Sequence, residues 1–223
     1  AAMTAYDEGH FAEAEAYYKS QVRTSAPSAK LFYNIGNCLY QQGKYAQALA
    51  YYESALRIAP RDSDVLENLN LTRRKLALPE KHRLEKPSDI LPYVRDLLRP
   101  DEWMLLVFAG AALMFVSFGL RRFAKPRLWG SLLGIGVIAA GLSFLAVMVQ
   151  NSTSYDSRSA VLLTRNAALH ALPSPQSPRL TEISLQPGEE VVIEEARQDW
   201  VRIRAGAAEG WVRKSDVRRL WDL

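Results

Sequence analysis

The side chains that most often carry out chemistry, histidine and cysteine, are few in this chain and far apart. The three histidines, His10, His82 and His170, lie in three different segments, and we find no set of ligands around them at metal-site spacing. The single cysteine, Cys38, excludes an internal disulfide and has no histidine nearby in the sequence to activate its thiol. We therefore predict no catalytic residue, no metal and no cofactor, and we interpret Cys38 as a buried structural thiol.

The positive charge of the chain is concentrated in one short stretch. Residues 1–78 hold 9 Lys and Arg against 8 Asp and Glu, and residues 155–223 hold 10 against 10. The net charge of the 223 residues is +4, and the stretch GLRRFAKPRLW alone holds four cations and no acid: Arg121, Arg122, Lys125 and Arg127. Because neither terminal segment is basic enough to bind a phosphate backbone, this distribution excludes nucleic acid as a partner.

Two runs without any charge flank this basic stretch. They cover residues 103–120 and 128–149, and as helices they span roughly 27 and 33 Å, against about 30 Å for the hydrocarbon core of a bilayer. Trp103 and Trp129 stand at their ends, where amphipathic rings favour the membrane interface. We predict two transmembrane helices that form a hairpin in contact with lipid. A pair of buried core helices is disfavoured because neither run has a polar face.

The basic stretch also predicts the orientation of this hairpin. Short loops rich in Lys and Arg stay on the cytoplasmic side, so we predict residues 121–127 as a cytoplasmic loop whose four cations determine the topology. The segments on either side then lie in the periplasm, and the chain crosses a bacterial inner membrane twice. An exported N-terminal domain usually needs a signal peptide, so we expect that one has been removed.

Small residues are frequent in both apolar runs, and they allow helix backbones to approach closely in lipid. Gly130 and Gly134 form a G-x-x-x-G pattern, with Gly136, Ala140 and Gly141 further on, and the first run offers residues 109–112. These positions fit either the contact between the two helices of the hairpin or the contact with a partner helix.

A different pattern recurs every 34 residues in the first third of the chain. The matching positions are Gly9 and Gly43, Ala14 and Ala48, and Tyr17-Tyr18 and Tyr51-Tyr52. This period is that of the tetratricopeptide repeat, and residues 29–60 resemble its consensus at Phe32, Ile35, Gly36, Tyr45, Ala48, Tyr52, Ala55 and Pro60. We predict an all-α repeat domain over residues 1–78, with a partial first unit and a final capping helix. Because three repeats are normally needed, we expect a partner or the membrane to support it.

The resemblance implies a concave face that binds a peptide or a protein. The predicted residues of this face are Lys30, Tyr33, Asn37, Tyr40, Gln41, Glu67, Asn68 and Leu71. Asn37 and Asn68 are either amides that hold an extended peptide backbone or ordinary consensus residues of the repeat. The lysines of carboxylate-binding repeats are not matched.

Residues 79–102 join the repeat to the first apolar run. Charges and prolines mark the first part as a linker, and apolar residues then recur at helical spacing between residues 90 and 98. This pattern predicts either an amphipathic helix on the membrane surface or an extra helix packed on the repeat.

After a second linker, residues 150–158, the hydrophobic period becomes that of β-strands. We predict an all-β SH3-like barrel over residues 159–223. From about Ala160 to Leu220 the sequence resembles bacterial SH3-like barrels, at positions that include Pro187, Gly188, Trp200, Gly210 and Trp211. Such modules bind cell-wall peptide or protein, and Trp200 and Trp211 are candidates for a binding groove, with core packing as the alternative for Trp211. We interpret the basic residues Arg202, Arg204, Arg213, Lys214, Arg218 and Arg219 as a solvated face.

The order of repeat, membrane hairpin and SH3-like barrel resembles the BatE-like proteins of the Bacteroides aerotolerance (Bat) system. The resemblance rests on the architecture of the whole chain and on the two module patterns. It implies a non-enzymatic envelope adaptor that acts in stress tolerance beside von Willebrand A-domain Bat membrane proteins and a MoxR-type ATPase. The alternative function is binding or sensing of the cell wall (peptidoglycan) through the SH3-like barrel.

Overall fold

A computed structural model describes residues 1–24, 26–81, 98, 100–120, 126–153, 158–164, 167–180 and 185–220. The chain divides into two compact units. The first unit combines residues 1–81 with residues 157–223, and the second comprises residues 82–156. The N-terminal repeat and the C-terminal module, which are far apart in the sequence, therefore fold together. The predicted amphipathic helix between residues 79 and 102 lies mostly outside the described residues.

The repeat region is entirely helical, as predicted. Its helices are α1 (Ala2–Asp7), α2 (Phe11–Thr24), α3 (Ala29–Gln41), α4 (Tyr45–Ile58) and α5 (Ser63–Lys75). Side chains cap two of them: the Ser28 hydroxyl accepts from the backbone N–H of Leu31 at 3.2 Å, and the Asp62 carboxylate accepts from Val65 at 3.2 Å. Neighbouring helices in this order pack against one another, which is the helix–turn–helix arrangement of the repeat.

Glycines and alanines occupy the positions where these helices turn and touch. Gly9 and Gly43 follow α1 and α3 with φ of +81° and +74°, a left-handed conformation that glycine adopts at least cost. A Cβ atom on Gly36 would lie 2.6 Å from the Tyr52 ring, and Ala48 is fully buried. The 34-residue match thus reflects the same turn and the same tight packing in successive units.

In the described residues, the C-terminal module forms a five-stranded antiparallel sheet. Its strands are β1 (Ser159–Leu162), β2 (Glu190–Arg197), β3 (Trp200–Ala205), β4 (Ala208–Arg213) and β5 (Val217–Arg219), in the spatial order β4-β3-β2-β1-β5. A short 3-10 helix, Lys214–Asp216, joins the last two strands. Along β3, Val201 and Ile203 are buried and alternate with more exposed residues, as the sequence predicts.

The second unit contains α6 (Pro100–Leu120) and α7 (Pro126–Thr153), which pack on each other. Within the described residues, only the stretch Asp101–Gly119 is long and apolar enough to cross a membrane, and the apolar stretch Gly130–Leu145 of α7 is shorter. Large apolar side chains on both helices are exposed, among them Phe108, Phe115 and Phe144. One candidate span is therefore present, and the two-span hairpin stays a prediction.

The two helices of this unit touch through some of the predicted small residues. A Cβ atom on Gly110 would lie 2.9 Å from the backbone nitrogen of Ala140, and one on Gly136 would lie 2.9 Å from the Met114 side chain. Gly130 and Gly134 have no such neighbour in the described part of the chain. The contact between α6 and α7 thus uses Gly110, Gly136 and Ala140 and leaves the G-x-x-x-G pair outside it.

Candidate functional site

The predicted concave residues lie on α3 and α5, which we call the inner helices. On α3 the predicted residues follow helical spacing, so they share one side of the helix, which we call the inner face. The capping helix α5 carries the other predicted residues of this face, Glu67, Asn68 and Leu71. Lys30, Gln41 and Glu67 are exposed, whereas Leu71 is half-buried.

A hydrogen-bond network joins the two inner helices. The Asn68 Nδ2 donates to the Asn37 Oδ1 at 3.0 Å and to the Tyr33 hydroxyl at 3.1 Å. The Asn37 Oδ1 also accepts from the Tyr52 hydroxyl of α4 at 2.7 Å, and burial raises the pKa of Tyr52. Three of the predicted residues are thus brought together, with Tyr52 as a fourth member that the sequence pattern assigned only to the core.

The side-chain amides of Asn37 and Asn68 each have one polar group that this network leaves unused. Within the described residues, the Asn37 Nδ2 and the Asn68 Oδ1 take part in no hydrogen bond. They are one donor and one acceptor on neighbouring helices, and they match the C=O and N–H of one residue in an extended peptide, which point to the same side of the backbone. Asn37 therefore has a structural role through its oxygen and a free donor on its nitrogen.

Tyr40 has a different role from the other predicted residues. Its ring packs edge-on against the ring of Tyr45, with centroids 5.3 Å apart, at the end of α3. Beside it, Glu15 accepts from Lys19 at 2.5 Å and from the Gln42 amide at 2.8 Å. Burial alone raises the pKa of Glu15, but these donors outweigh burial and lower it. Tyr40 and Glu15 thus help to hold α2, α3 and α4 together.

The opposite side of the repeat is covered by the C-terminal module. We call this side the outer face of α4 and define it by Leu49, Ala50, Tyr51, Glu53 and Ser54, all of which are buried. Val161 and Leu220 of the sheet module belong to the same hydrophobic core as Leu49 and Ala50. One continuous core therefore joins the two modules.

Specific contacts fix the register of this interface. The Ser54 hydroxyl lies 2.8 Å from the carbonyl oxygen of Leu220 and 2.8 Å from that of Ala50. The Arg218 guanidinium lies over the Tyr51 ring, 3.6 Å from its centroid. This arginine therefore contacts the repeat, so the interpretation of the C-terminal arginines as one solvated face is wrong for Arg218.

A glycine permits the closest approach between the modules. Gly188 has φ of +88°, and a Cβ atom there would lie 2.7 Å from Leu76 and 2.8 Å from Leu78. From the sequence, this glycine is only one of the positions that match SH3-like barrels. Its second role, in the contact with the end of α5, is visible only in the structure.

A buried carboxylate lies at the edge of the same interface. The Glu53 side chain is 2% exposed, and its oxygens lie 2.6 Å from the Lys81 Nζ and 3.5 Å from Arg73. Burial alone raises the pKa of Glu53, but Lys81 and Arg73 outweigh burial and hold it below its ordinary value. Arg73 also lies 3.9 Å from Glu190 of β2, so these charges connect the repeat to the sheet.

The two tryptophans proposed as a groove differ in exposure. Trp211 is 6% exposed, and its backbone pairs with His170 through two hydrogen bonds of 2.8 Å. Trp200 is half-buried, with the His170 ring edge-on at 5.1 Å and the Arg213 guanidinium 5.8 Å from its centroid. Trp200 therefore offers more surface for a ligand than Trp211 does.

Cys38 is buried, as predicted, and burial together with Glu15 raises its thiol pKa to about 11. The topology determinants Arg121, Arg122 and Lys125 lie outside the described residues, and Arg127 is the second residue of α7. Within the described residues, no three His, Cys, Asp or Glu side chains form a group that could hold a metal ion.

Two segments match known protein families. Residues 29–62 match the model of the tetratricopeptide repeat, and residues 164–219 match the model of the bacterial SH3 domain. No curated protein matches the chain. Modules of these two kinds are typically non-catalytic and bind proteins or cell-wall peptide, so the chain carries a binding module in each half.

Proposed function

We propose that this protein is a membrane-anchored adaptor that binds a segment of a partner protein along the inner face of its repeat. The observation that carries the proposal is the difference between the two sides of the repeat. The outer face is closed by the chain's own C-terminal module, whereas the inner face keeps exposed polar side chains and unused amide groups. Repeat modules bind peptides through such faces, so the inner face is the surface left for a partner.

The inner face suits an extended backbone. The Asn37 donor and the Asn68 acceptor match the C=O and N–H of one extended residue, and the bond between the two amides holds both in place before a ligand arrives. Preorganised groups bind more tightly because less conformational entropy is lost on binding. Lys30 at one end and Glu67 on the neighbouring helix add charges of both signs that select among sequences.

The fold of the first unit supports the predicted topology. Residues 1–81 and 157–223 form one compact unit, so they lie on the same side of any membrane that the intervening segment crosses. A single crossing would separate them, and two crossings keep them together. We infer that α6 and α7 both cross, with the basic stretch between them in the cytoplasm and both modules in the periplasm.

Reporter fusions test this topology. A fusion at Lys125 and a fusion after Leu223 should report opposite sides of the membrane. Neutral replacements of the basic residues between positions 121 and 127 should give mixed orientations. If the fusion after Leu223 reports the cytoplasm, the two-crossing topology is wrong.

We further propose, from the resemblance in architecture, that the partners are von Willebrand A-domain membrane proteins of a Bat system with a MoxR-type ATPase, acting in stress tolerance. The second candidate function is binding of cell-wall peptide by the C-terminal module. The half-exposed Trp200, flanked by His170 and Arg213, is the observation that favours it. The two functions place the ligand on different modules, so they can be separated by mutation.

The test is co-purification from native membranes in mild detergent, with partners identified by mass spectrometry. The inner-face variant is the double reversal Lys30→Glu with Glu67→Lys, which keeps the net charge. The matched control is Lys75→Glu with Glu13→Lys, which reverses two exposed charges elsewhere on the repeat. Neither variant touches the Asn37–Tyr52 bond on which the fold depends.

We expect the inner-face variant to lose the membrane proteins that wild type recovers, whereas the control keeps them. Trp200→Ala should retain them as well. The cell-wall function predicts the reverse, with loss of peptidoglycan retention in Trp200→Ala alone. Equal recovery of the same partners by wild type and the inner-face variant would contradict the adaptor proposal.

A further inference from the structure

An open cavity of about 260 Å³ lies at the surface of the first unit, on the side of the repeat away from the inner face. Its apolar part consists of Val22 of α2 with Phe32 and Ile35 of α3. Tyr51 of the outer face forms a wall, and Arg218 of β5 completes the cavity from the sheet module. Residues of both modules thus line the cavity.

The polar side chains that line this cavity are cations. They are Lys19 and Arg23 of α2 and Arg218, and no carboxylate lines it among the described residues. The Lys19 Nζ lies 5.7 Å and the Arg218 guanidinium carbon 3.6 Å from the centroid of the same Tyr51 ring. Positive charge therefore converges on one side of a pocket whose other side is apolar.

Arg23 is the cation of this cavity that is best placed to bind a carboxylate. Lys19 is hydrogen-bonded to Glu15 at 2.5 Å, so part of its bonding capacity is used within the fold. Arg23 takes part in no ion pair within the described residues and is exposed at the mouth of the cavity. A guanidinium in that position is a suitable bidentate partner for a carboxylate.

We propose that this cavity binds a carboxylate that carries one apolar side chain and has no free amine, which is the C-terminal residue of a polypeptide. A bare inorganic anion has no apolar part to pack against Val22, Phe32 and Ile35, so it would fill only part of the cavity. An apolar cavity of about 150 Å³ holds one benzene molecule, so this one has room for a single side chain and a carboxylate. A free amino acid fits poorly, because its ammonium group would lie beside the cations that line the cavity.

The test uses the full chain in detergent and a small set of peptides, with binding followed by isothermal titration calorimetry. The first probe is acetyl-Gly-Ser-Leu with a free C-terminal carboxylate, and its matched control is the same peptide with a C-terminal amide. Free leucine tests whether a free amino acid binds, and inorganic phosphate tests whether an anion without an apolar side chain binds. Peptides that end in Val or Phe cover other apolar side chains.

We expect saturable binding of the free-acid peptide and about tenfold or greater weakening for the amide, because a charged hydrogen-bonded pair is lost. Arg23→Gln should weaken the free-acid peptide by about three- to tenfold. Lys75→Gln, which removes an exposed cation outside the cavity, should leave the affinity unchanged. Circular dichroism checks that both variants are folded.

Several results would overturn this proposal. They are equal binding of acid and amide, equal effects of Arg23→Gln and Lys75→Gln, displacement of the peptide by phosphate at equal concentration, and binding of free leucine as tight as that of the peptide. Absence of saturable binding by all three free-acid peptides also overturns it. Lys30 and Glu67 do not line the cavity, so this test and the test of the inner face fail independently.

Discussion

The inner and outer faces of the repeat lie on different helices and in different environments: the inner face is on α3 and α5, and the outer face is on α4. The outer face of α4 is a continuous buried run, because the sheet module contributes Val161 and Leu220 to its core. The inner face is held by hydrogen bonds between polar side chains and leaves Lys30, Gln41 and Glu67 exposed. Hydrophobic burial thus covers the outer face, whereas hydrogen bonds between polar side chains order the inner face.

The covered outer face shows where part of the support for the repeat comes from. A helical repeat buries its hydrophobic surface against neighbouring elements. In the first unit, the C-terminal module covers the outer face of α4 and contributes Val161 and Leu220 to its core. The support that the sequence led us to expect from a partner or the membrane comes, on this face, from the chain itself.

The comparison predicts that changes on the outer face affect stability most. Glu53→Gln removes the negative charge that faces Lys81 and Arg73 in a buried site, and loss of one member of such a pair costs about 3–5 kcal/mol. Denaturant unfolding of the full chain in detergent measures the change. A change close to zero would show that this cluster is solvated and that the interface is open there.

The same carboxylate predicts a direction for pH dependence. The folded-state pKa of Glu53 is below the ordinary value of 4.5, so its contribution is complete above about pH 4.5 and is lost as pH falls through the lowered pKa. The Glu53 charge raises the pKa of Glu190, which contributes in the opposite direction, but Glu190 is exposed and solvent screens its contribution. The stability of wild type should therefore decline more steeply in acid than that of Glu53→Gln.

Leu220→Ala should have the next largest effect. This leucine is 2% exposed and packs in the shared core, and such truncations cost about 2–5 kcal/mol. Because the core is shared, the helical and the β-sheet signals should shift together in unfolding curves followed by circular dichroism and tryptophan fluorescence. Separate transitions, with only the sheet signal shifted, would contradict one cooperative unit.

Ala48→Leu tests the packing inside the repeat and should have a smaller effect. Ala48 is fully buried between helices, so extra methyl groups force the helices apart at a cost of about 1–3 kcal/mol. The measurement is the change in unfolding midpoint of the full chain. Unchanged stability would mean that the helices around α4 pack less tightly than described.

The inner-face reversal Lys30→Glu with Glu67→Lys should have the smallest effect on stability. Both side chains are exposed, and surface substitutions usually change stability by less than about 0.5 kcal/mol. Unfolding should therefore match wild type even though partner binding is lost. A loss as large as that of Ala48→Leu would mean that this face is structural.

The features of the fold that repeat or alternate along the chain could be predicted from the sequence. The 34-residue period predicted the helices and the turn glycines Gly9 and Gly43, and the alternation in WVRIR predicted the buried face of β3. Local spacing determines these features, so they can be read from one segment at a time. The helical spacing also predicted Tyr33, Asn37 and Asn68 as members of one face.

The contact between the two modules could not be predicted from such patterns. Ser54 and Leu220 are 166 positions apart, and neither residue carries a sign of its partner. Arg218 resembles any surface arginine until the Tyr51 ring is placed beneath it, and Glu53 resembles any helical acid until Lys81 folds over it. Side chains whose role depends on tertiary neighbours can be assigned only from the structure.

The most direct test places a photoreactive side chain on each face in turn. Glu67→p-azidophenylalanine probes the inner face, and Tyr51→p-azidophenylalanine probes the outer face. After irradiation of native membranes, we predict adducts with other proteins from position 67, and from position 51 an internal crosslink to the segment around Arg218. Adducts with other proteins from position 51, together with none from position 67, would contradict the assignment of the two faces.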